Sequence, residues 1–272
     1  MKQEITLLAV PDKRPISEVK EWFFDGYALI MREKIFWLRF FGISFFLFLM
    51  TAFLGNLCAA ALSVTGIVFL QRLAATILWT ATTLLTQIAA CRAMAIIACR
   101  ERPHLNVFLW WKEAREQPIF GHYLLFLVSL ELIFSVFHHY FFTESFFIIE
   151  NNRVVLASAE TVLPLFLFYL GARGIVMTFT WAMIPLLSDC SSAQLRTLLT
   201  LHWRGTWKNG VNLMLLMLIV LVIMFVLLIF LAIVFSIFNF FSVFIFLFAL
   251  IWFFPMMLAW SFSASRHIFT TW

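Results

Sequence analysis

The sequence predicts an all-α polytopic membrane protein: six transmembrane helices arranged as three hairpins, each preceded by a short cytoplasmic amphipathic helix. Three observations lead there. The chain is 64% hydrophobic and only 12% charged, where a soluble domain carries about 25% charged residues. Its 35 Phe and 11 Trp exceed what one globular core of 272 residues hides. Lys and Arg also alternate from one inter-span segment to the next, which assigns sides of a membrane.

Residues 1–35 form a polar segment of mixed charge, without the apolar core or cleavage site of a secretory signal. Residues 36–272 form the bundle, with spans expected at about 36–58, 69–97, 119–142, 161–187, 211–236 and 240–264. Each is close to the 20 or so apolar residues that a bilayer core requires. The fifth, VNLMLLMLIVLVIMFVLLIFLAIVF, holds no charge. It joins the sixth through a very short turn near Ser236-Ile237-Phe238-Asn239.

Basic residues fall at Lys2, Lys13, Arg14, Lys20, Arg32 and Lys34, then at Arg100, Arg102, Lys112 and Arg115, then at Arg196, Arg204 and Lys208, and finally at Arg266. The opposite side carries only Arg72 and Arg153. Both termini are therefore expected in the cytoplasm. The net charge of +5 reflects this orientation, and no nucleic-acid-binding pattern accompanies it.

Each hairpin follows an amphipathic stretch. In the first, Val19, Phe23, Tyr27 and Ile30 share a face at helical spacing; in the second, Leu105, Phe108 and Leu109 do, beside Trp110 and Trp111. The third puts Leu195, Leu198, Leu199 and His202 together, opening at Ser191-Ser192-Ala193-Gln194 with capping-box spacing and ending at Asn209-Gly210. Trp and basic residues on such helices suit the headgroup layer. A partial repeat underlies the pattern. PLLSDCSSAQLR and PMMLAWSFSASR both set Pro and Arg eleven apart (Pro185 and Arg196, Pro255 and Arg266), with Ser191 and Ser261 aligned.

Charge inside the spans marks the candidate site. Arg173 stands in the middle of FYLGARGIVMTF, where an uncompensated guanidinium costs about 3 to 15 kcal/mol. Glu131 of the third span lies at a similar depth, about 18 Å from the cytoplasmic edge against about 20 Å for Arg173. A Glu131–Arg173 ion pair is the simplest compensation, and Gly171, Ala172 and Gly174 allow close helix approach. Two readings compete: a structural pair that fixes helix register, or a pair lining a hydrated path for an anion or proton. Arg92, one or two turns inside the second span, is expected to snorkel to the surface. Arg92 and Arg100 lie eight apart, roughly on one face, and so offer lipid-phosphate contacts.

Neither G-x-S-x-G, H-E-x-x-H, a phosphate loop nor an acidic metal cluster is present, and the sequence offers no catalytic residue to propose. Cys58, Cys91, Cys99 and Cys190 lack metal-ligand spacing, and His138-His139 diverge by about 100° on a helix. No metal and no cofactor is expected. The strings GYALIMREKIFWLRFF, ACRERPHLNVF, IPLLSDCSSAQLRTLLTLHWRGTWKN and FPMMLAWSFSASRHIF resemble those of uncharacterised bacterial inner-membrane proteins, the YciC-like and related domain-of-unknown-function families. The resemblance covers nearly the whole chain; it implies six helices and a bacterial cytoplasmic-membrane location, and transfers no catalytic residue.

The expected function is that of a non-enzymatic accessory or scaffold protein packing on partner membrane subunits or lipids. The Phe-rich stretches FFGISFFLF, FHHYFF and FNFFSVFIFLF supply aromatic surface, while polar groups for a path are few. The alternative is a small-molecule or lipid transporter using the Glu131/Arg173 pair.

Overall fold

The computed structural model describes residues 6–63, 68–116, 119–138, 147–150, 153–156, 181–189, 195–238 and 241–271. Helices dominate: α1 (Glu18–Arg32), α2 (Lys34–Ser63), α3 (Val68–Ala98), α4 (Val107–Arg115), α5 (Phe120–His138), α6 (Met183–Asp189), α7 (Leu195–Lys208), α8 (Gly210–Phe238) and α9 (Phe241–Phe269). Among the described residues, three helical segments are long and apolar enough to cross a membrane: Lys34–Leu62, Leu73–Ala98 and Gly210–Leu227. They coincide with the first, second and fifth expected spans.

The described residues are overwhelmingly helical, as expected, with two short antiparallel ladders beside the helices. Strands β2 (Phe147–Glu150) and β3 (Arg153–Leu156) pair with Glu150 opposite Arg153. The branched residues of FII and RVV carry the signal, since such side chains favour strands. Strand β1 (Thr6–Leu7) pairs with β4 (Thr270–Thr271), Thr6 opposite Thr271.

The chain divides into two compact units, one of Met1–Leu47, Leu84–Phe120 and Ala182–Trp272, the other of Phe48–Thr83 and Gly121–Trp181. The core of the first is α1 packed on α9. Helix α1 buries Val19, Trp22, Gly26, Leu29 and Ile30, at offsets that trace one helical stripe. The stripe is turned from the expected one: Phe23 is half-buried and stacks on Trp260 with ring centroids 4.9 Å apart, while Tyr27 is exposed. Here the amphipathic face is covered by protein instead of lying on headgroups. Gly26 explains the close approach, because a Cβ there would come 2.7 Å from Trp260 Cδ1 and 3.0 Å from the Ala259 carbonyl.

Helix α9 continues through Pro255 and ends at Phe269, five residues beyond the expected span. Its last turns place Arg266 in the core, 1% exposed, with the guanidinium 4.5 Å above the Phe262 ring. Arg196, its counterpart in the partial repeat, is exposed. The two arginines therefore serve different surroundings.

The segment before α1 is strapped across this core. Leu8 N donates to Phe269 O (2.8 Å) and Asp12 N to Ile268 O (3.0 Å). Asn209, between α7 and α8, donates from Nδ2 to Asp12 O (2.7 Å) and accepts from Arg14 N at Oδ1 (2.8 Å). Asn212 Nδ2 donates to Arg14 O (2.7 Å). Both amides are buried, and these bonds satisfy groups that would otherwise be stranded away from water.

Asn106 caps α4 by accepting from the amides of Phe108 and Leu109 at 3.0 and 3.3 Å. Helix α4 buries Trp110 against Phe40 and leaves Phe108, Leu109 and Trp111 exposed, the reverse of the expected face. In α7 the expected Leu198 and His202 are buried, and the stripe continues through Gly205 and Thr206. The capping-box residues 191–194 lie outside the described residues.

In the second unit, α2 and α3 pack through Thr51 and Thr82, whose hydroxyls are 2.7 Å apart. Phe48 meets Trp79 at 5.1 Å, and Gly55 sits over Ala75. Small and hydroxyl residues at a helix contact suit a membrane interior, where they permit close packing and bonding across helices.

Candidate functional site

Glu131 is half-buried on α5 and is not without a partner. Arg173, with Gly171, Ala172 and Gly174, lies outside the described residues, as does the segment 157–180 that contains it.

Arg92 has a partner that sequence spacing did not indicate. Its Nη1 lies 2.6 Å from Oε2 of Glu113 on α4, and the other oxygen of that carboxylate is 3.3 Å from His104 Nε2. The snorkelling expected of Arg92 gives way to an ion pair that ties α4 to α3.

Arg100 does not share a helix face with Arg92, because α3 ends at Ala98. The chain turns there in a Schellman arrangement, with Glu101 N donating to Ile96 O (3.0 Å) and Arg100 N to Ile97 O (2.9 Å). That turn requires a left-handed residue, and Arg100 adopts φ 61°. Glycine fits such a position freely, whereas a side chain costs about 1 to 2 kcal/mol. An arginine therefore stands where local stability favours glycine.

Arg100 borders a cleft of about 420 Å³ in the first unit, together with Arg14, Asp25, Arg32, Ser263 and His267 and the apolar Leu29 and Phe262. Arg14 Nη2 is held at 3.1 Å by Asp12 and Nη1 at 3.7 Å by Glu18. His267 reaches Asp25 at 3.4 Å through Nε2 and Glu18 at 3.9 Å through Nδ1. An adjoining hollow of about 300 Å³ is shared by Arg32, Arg100, Glu33 and Glu101. Arg14, Arg32, Ser263 and His267 were not singled out in the sequence as site residues. Only their convergence makes a site, and no local motif announces it.

A second buried group supports the same core. His202, 1% exposed on α7, accepts the amide N–H of Ala182 at Nε2 (3.4 Å) and lies parallel to Phe269 with ring centroids 6.3 Å apart. Burial pushes its pKa down from 6.5 to about 4. It is thus a neutral imidazole that serves as an acceptor.

Cys58 is half-buried, Cys91 buried and Cys99 exposed, all as free thiols; Cys190 lies outside the described residues. Among the described residues no group of three or more His, Cys, Asp or Glu is placed to hold a metal.

These features define a helical protein with apolar helices suited to membrane association and a polar cleft at the ends of α1, α3 and α9. No protein-family model, curated protein or solved structure matches the chain.

Proposed function

We propose that the chain is a multi-pass protein of a bacterial cytoplasmic membrane, with both termini in the cytoplasm, acting as a non-enzymatic accessory or scaffold component that packs on partner membrane subunits or lipids. The observation that carries this reading is the bare apolar surface of two helices. In the most apolar stretches of α2 and α8 only 11% and 19% of residues are buried, against 56% in α3. Phe45, Phe46 and Phe53 on α2, and Phe225 and Phe230 on α8, are all exposed. Water does not tolerate an apolar face of this extent, so lipid or another protein covers it. Within a bilayer, association depends on packing and dispersion, for which large rings give ample contact.

Two further features support the reading. Thr6–Leu7 pairs with Thr270–Thr271, which is in keeping with two ends on one side of a membrane and an even number of crossings. On α7, Trp203 and Trp207 stack outward at 6.2 Å while Arg204 and Lys208 are exposed beside them. That combination suits the cytoplasmic headgroup layer, with the opposite face of α7 resting on protein.

Photo-crosslinking tests the reading. A photoreactive residue replaces Phe46, Phe53, Phe225 or Phe230 in turn, and membranes are irradiated before solubilisation. Protein adducts of discrete mass are expected at one helix face or both. Adducts to lipid alone at all four positions would rule out a scaffold that engages partner subunits.

A further inference from the structure

We infer that the cleft lined by Arg14, Arg32, Arg100, Ser263 and His267 binds a phosphate-bearing anion. The inference is independent of the scaffold reading. It begins with charge. The guanidiniums of Arg32 and Arg100 make no ion pair and no side-chain hydrogen bond among the described residues, although Glu33 and Glu101 border the adjoining hollow. Asp25 is the carboxylate that borders the main cleft, and His267 meets it at 3.4 Å, against three arginines on the same lining; nearby Glu18 lies 3.7 Å from Arg14, with its Oε2 left without a hydrogen bond. The unanswered charge is positive.

Further donors point the same way. Ser263 is 4% exposed and borders the cleft with a hydroxyl able to donate. Arg14 Nε is shut off from solvent without an acceptor. Buried donors without acceptors are uncommon in a folded chain and call for an explanation. An oxyanion in the cleft supplies the acceptors.

The backbone gives a third argument. Arg100 holds a left-handed conformation, φ 61°, at a helix end that glycine satisfies without strain. Side chains kept at strained positions concentrate where they contact ligands. Here the strained residue carries one of the two unpaired guanidiniums.

Phosphate fits better than carboxylate. Arg32 closes α1 and Arg100 follows α3, so two planar donor forks approach from separate segments. A tetrahedral group with several charged oxygens engages both forks together, whereas one carboxylate is used up by a single fork. A volume of about 420 Å³ accommodates a phosphate ester with its glycerol. The ester is either the headgroup of an anionic phospholipid or a soluble phosphate.

The test uses the full chain in nanodiscs of phosphatidylcholine. Phosphatidylglycerol is added to the nanodisc in one arm, and glycerol phosphate to the buffer in the other, with thermal stability as the readout. A saturable rise in melting temperature is expected. Arg32→Gln and Arg100→Gly should each weaken the apparent affinity at least tenfold, while Arg92→Gln leaves it unchanged. Arg100→Gly should also melt higher than the parent chain without ligand, which separates lost binding from lost folding. A response to phosphatidylglycerol alone assigns a lipid headgroup; an equal response to glycerol phosphate assigns a soluble ester. No response in either arm, or one that both arginine variants retain, overturns the inference.

Discussion

Gly26 of α1 lies so close to Trp260 of α9 that a methyl group at position 26 would come within 2.7 Å of the indole Cδ1. The Ala259 carbonyl, 3.0 Å away, closes the other side and is backbone, so it cannot swing aside. Gly205 of α7 is equally enclosed, since a Cβ there would collide with Cε1 and Cζ of the buried Phe269 ring. Gly26→Ala and Gly205→Ala should each lower stability by about 1 to 3 kcal/mol, the usual range for overpacking. Gly42 has nothing within 4 Å of a built Cβ, and Gly42→Ala should leave the chain as stable or slightly more so. Thermal unfolding of the three variants in one detergent checks the contrast.

Glu113 joins α4 to α3 through Arg92 and also faces His104. The groups are partly exposed, 24% for the Arg92 side chain and 31% for that of Glu113, so solvent screens the pair. Glu113→Gln should cost about 1 kcal/mol and lower the melting temperature by a few degrees. Raising the salt concentration should shrink the difference between parent and variant. A loss that is independent of salt would assign Glu113 a packing role instead.

His202 makes the fold sensitive to acid. Its folded pKa of about 4 lies below the ordinary 6.5, so between these values the unfolded chain binds more protons than the folded one. Stability from this group is complete above about pH 6.5 and is lost as pH falls towards 4, by on the order of 3 kcal/mol in all. His202→Gln keeps an acceptor for the Ala182 amide without a group that titrates there. Melting curves from pH 7.5 to 4 should show a steep acid loss for the parent that is blunted in the variant.

Asn209 holds the strap that contains Asp12 and Arg14. Asn209→Ala strands buried partners at both positions and should cost about 2 to 3 kcal/mol. Lys13 is already exposed, and release of the strap should free the backbone around it, so that limited trypsin digestion cuts there in the variant well before it cuts the parent. Resistance of the variant to cleavage would show that the bonds to α9, β4 and Asn212 retain the segment without Asn209.

What the sequence made legible follows from which forces are local. The apolar runs located α2, α3 and α8 closely, because insertion into a bilayer depends on side chains taken in order. The amphipathic period of α1 was also readable, yet the stripe settled on Trp22, Gly26 and Leu29 instead of Phe23 and Tyr27. A large aromatic scores as apolar wherever it sits, while the glycine that permits contact scores as nothing. The β2–β3 hairpin had a readable signal in the branched residues of FII and RVV, submerged in a chain of helical composition. The cleft had none. Arg14, Arg32, Arg100 and the α9 pair Ser263 and His267 come from four separate segments and meet only through long-range packing.

The packing of α1 on α9 sets an order of events during synthesis. Leu29 is made 240 residues before Phe269, a delay on the order of tens of seconds at ribosomal speed. Throughout that interval Trp22, Leu29 and Ile30 have no α9 to cover them, and β1 has no β4 to pair with. The early amphipathic helix must wait on a membrane surface or a chaperone, and then detach from it when the last hairpin arrives. Its apolar stripe thus has two successive hosts, and binding too tightly to the first would trap the chain half-built.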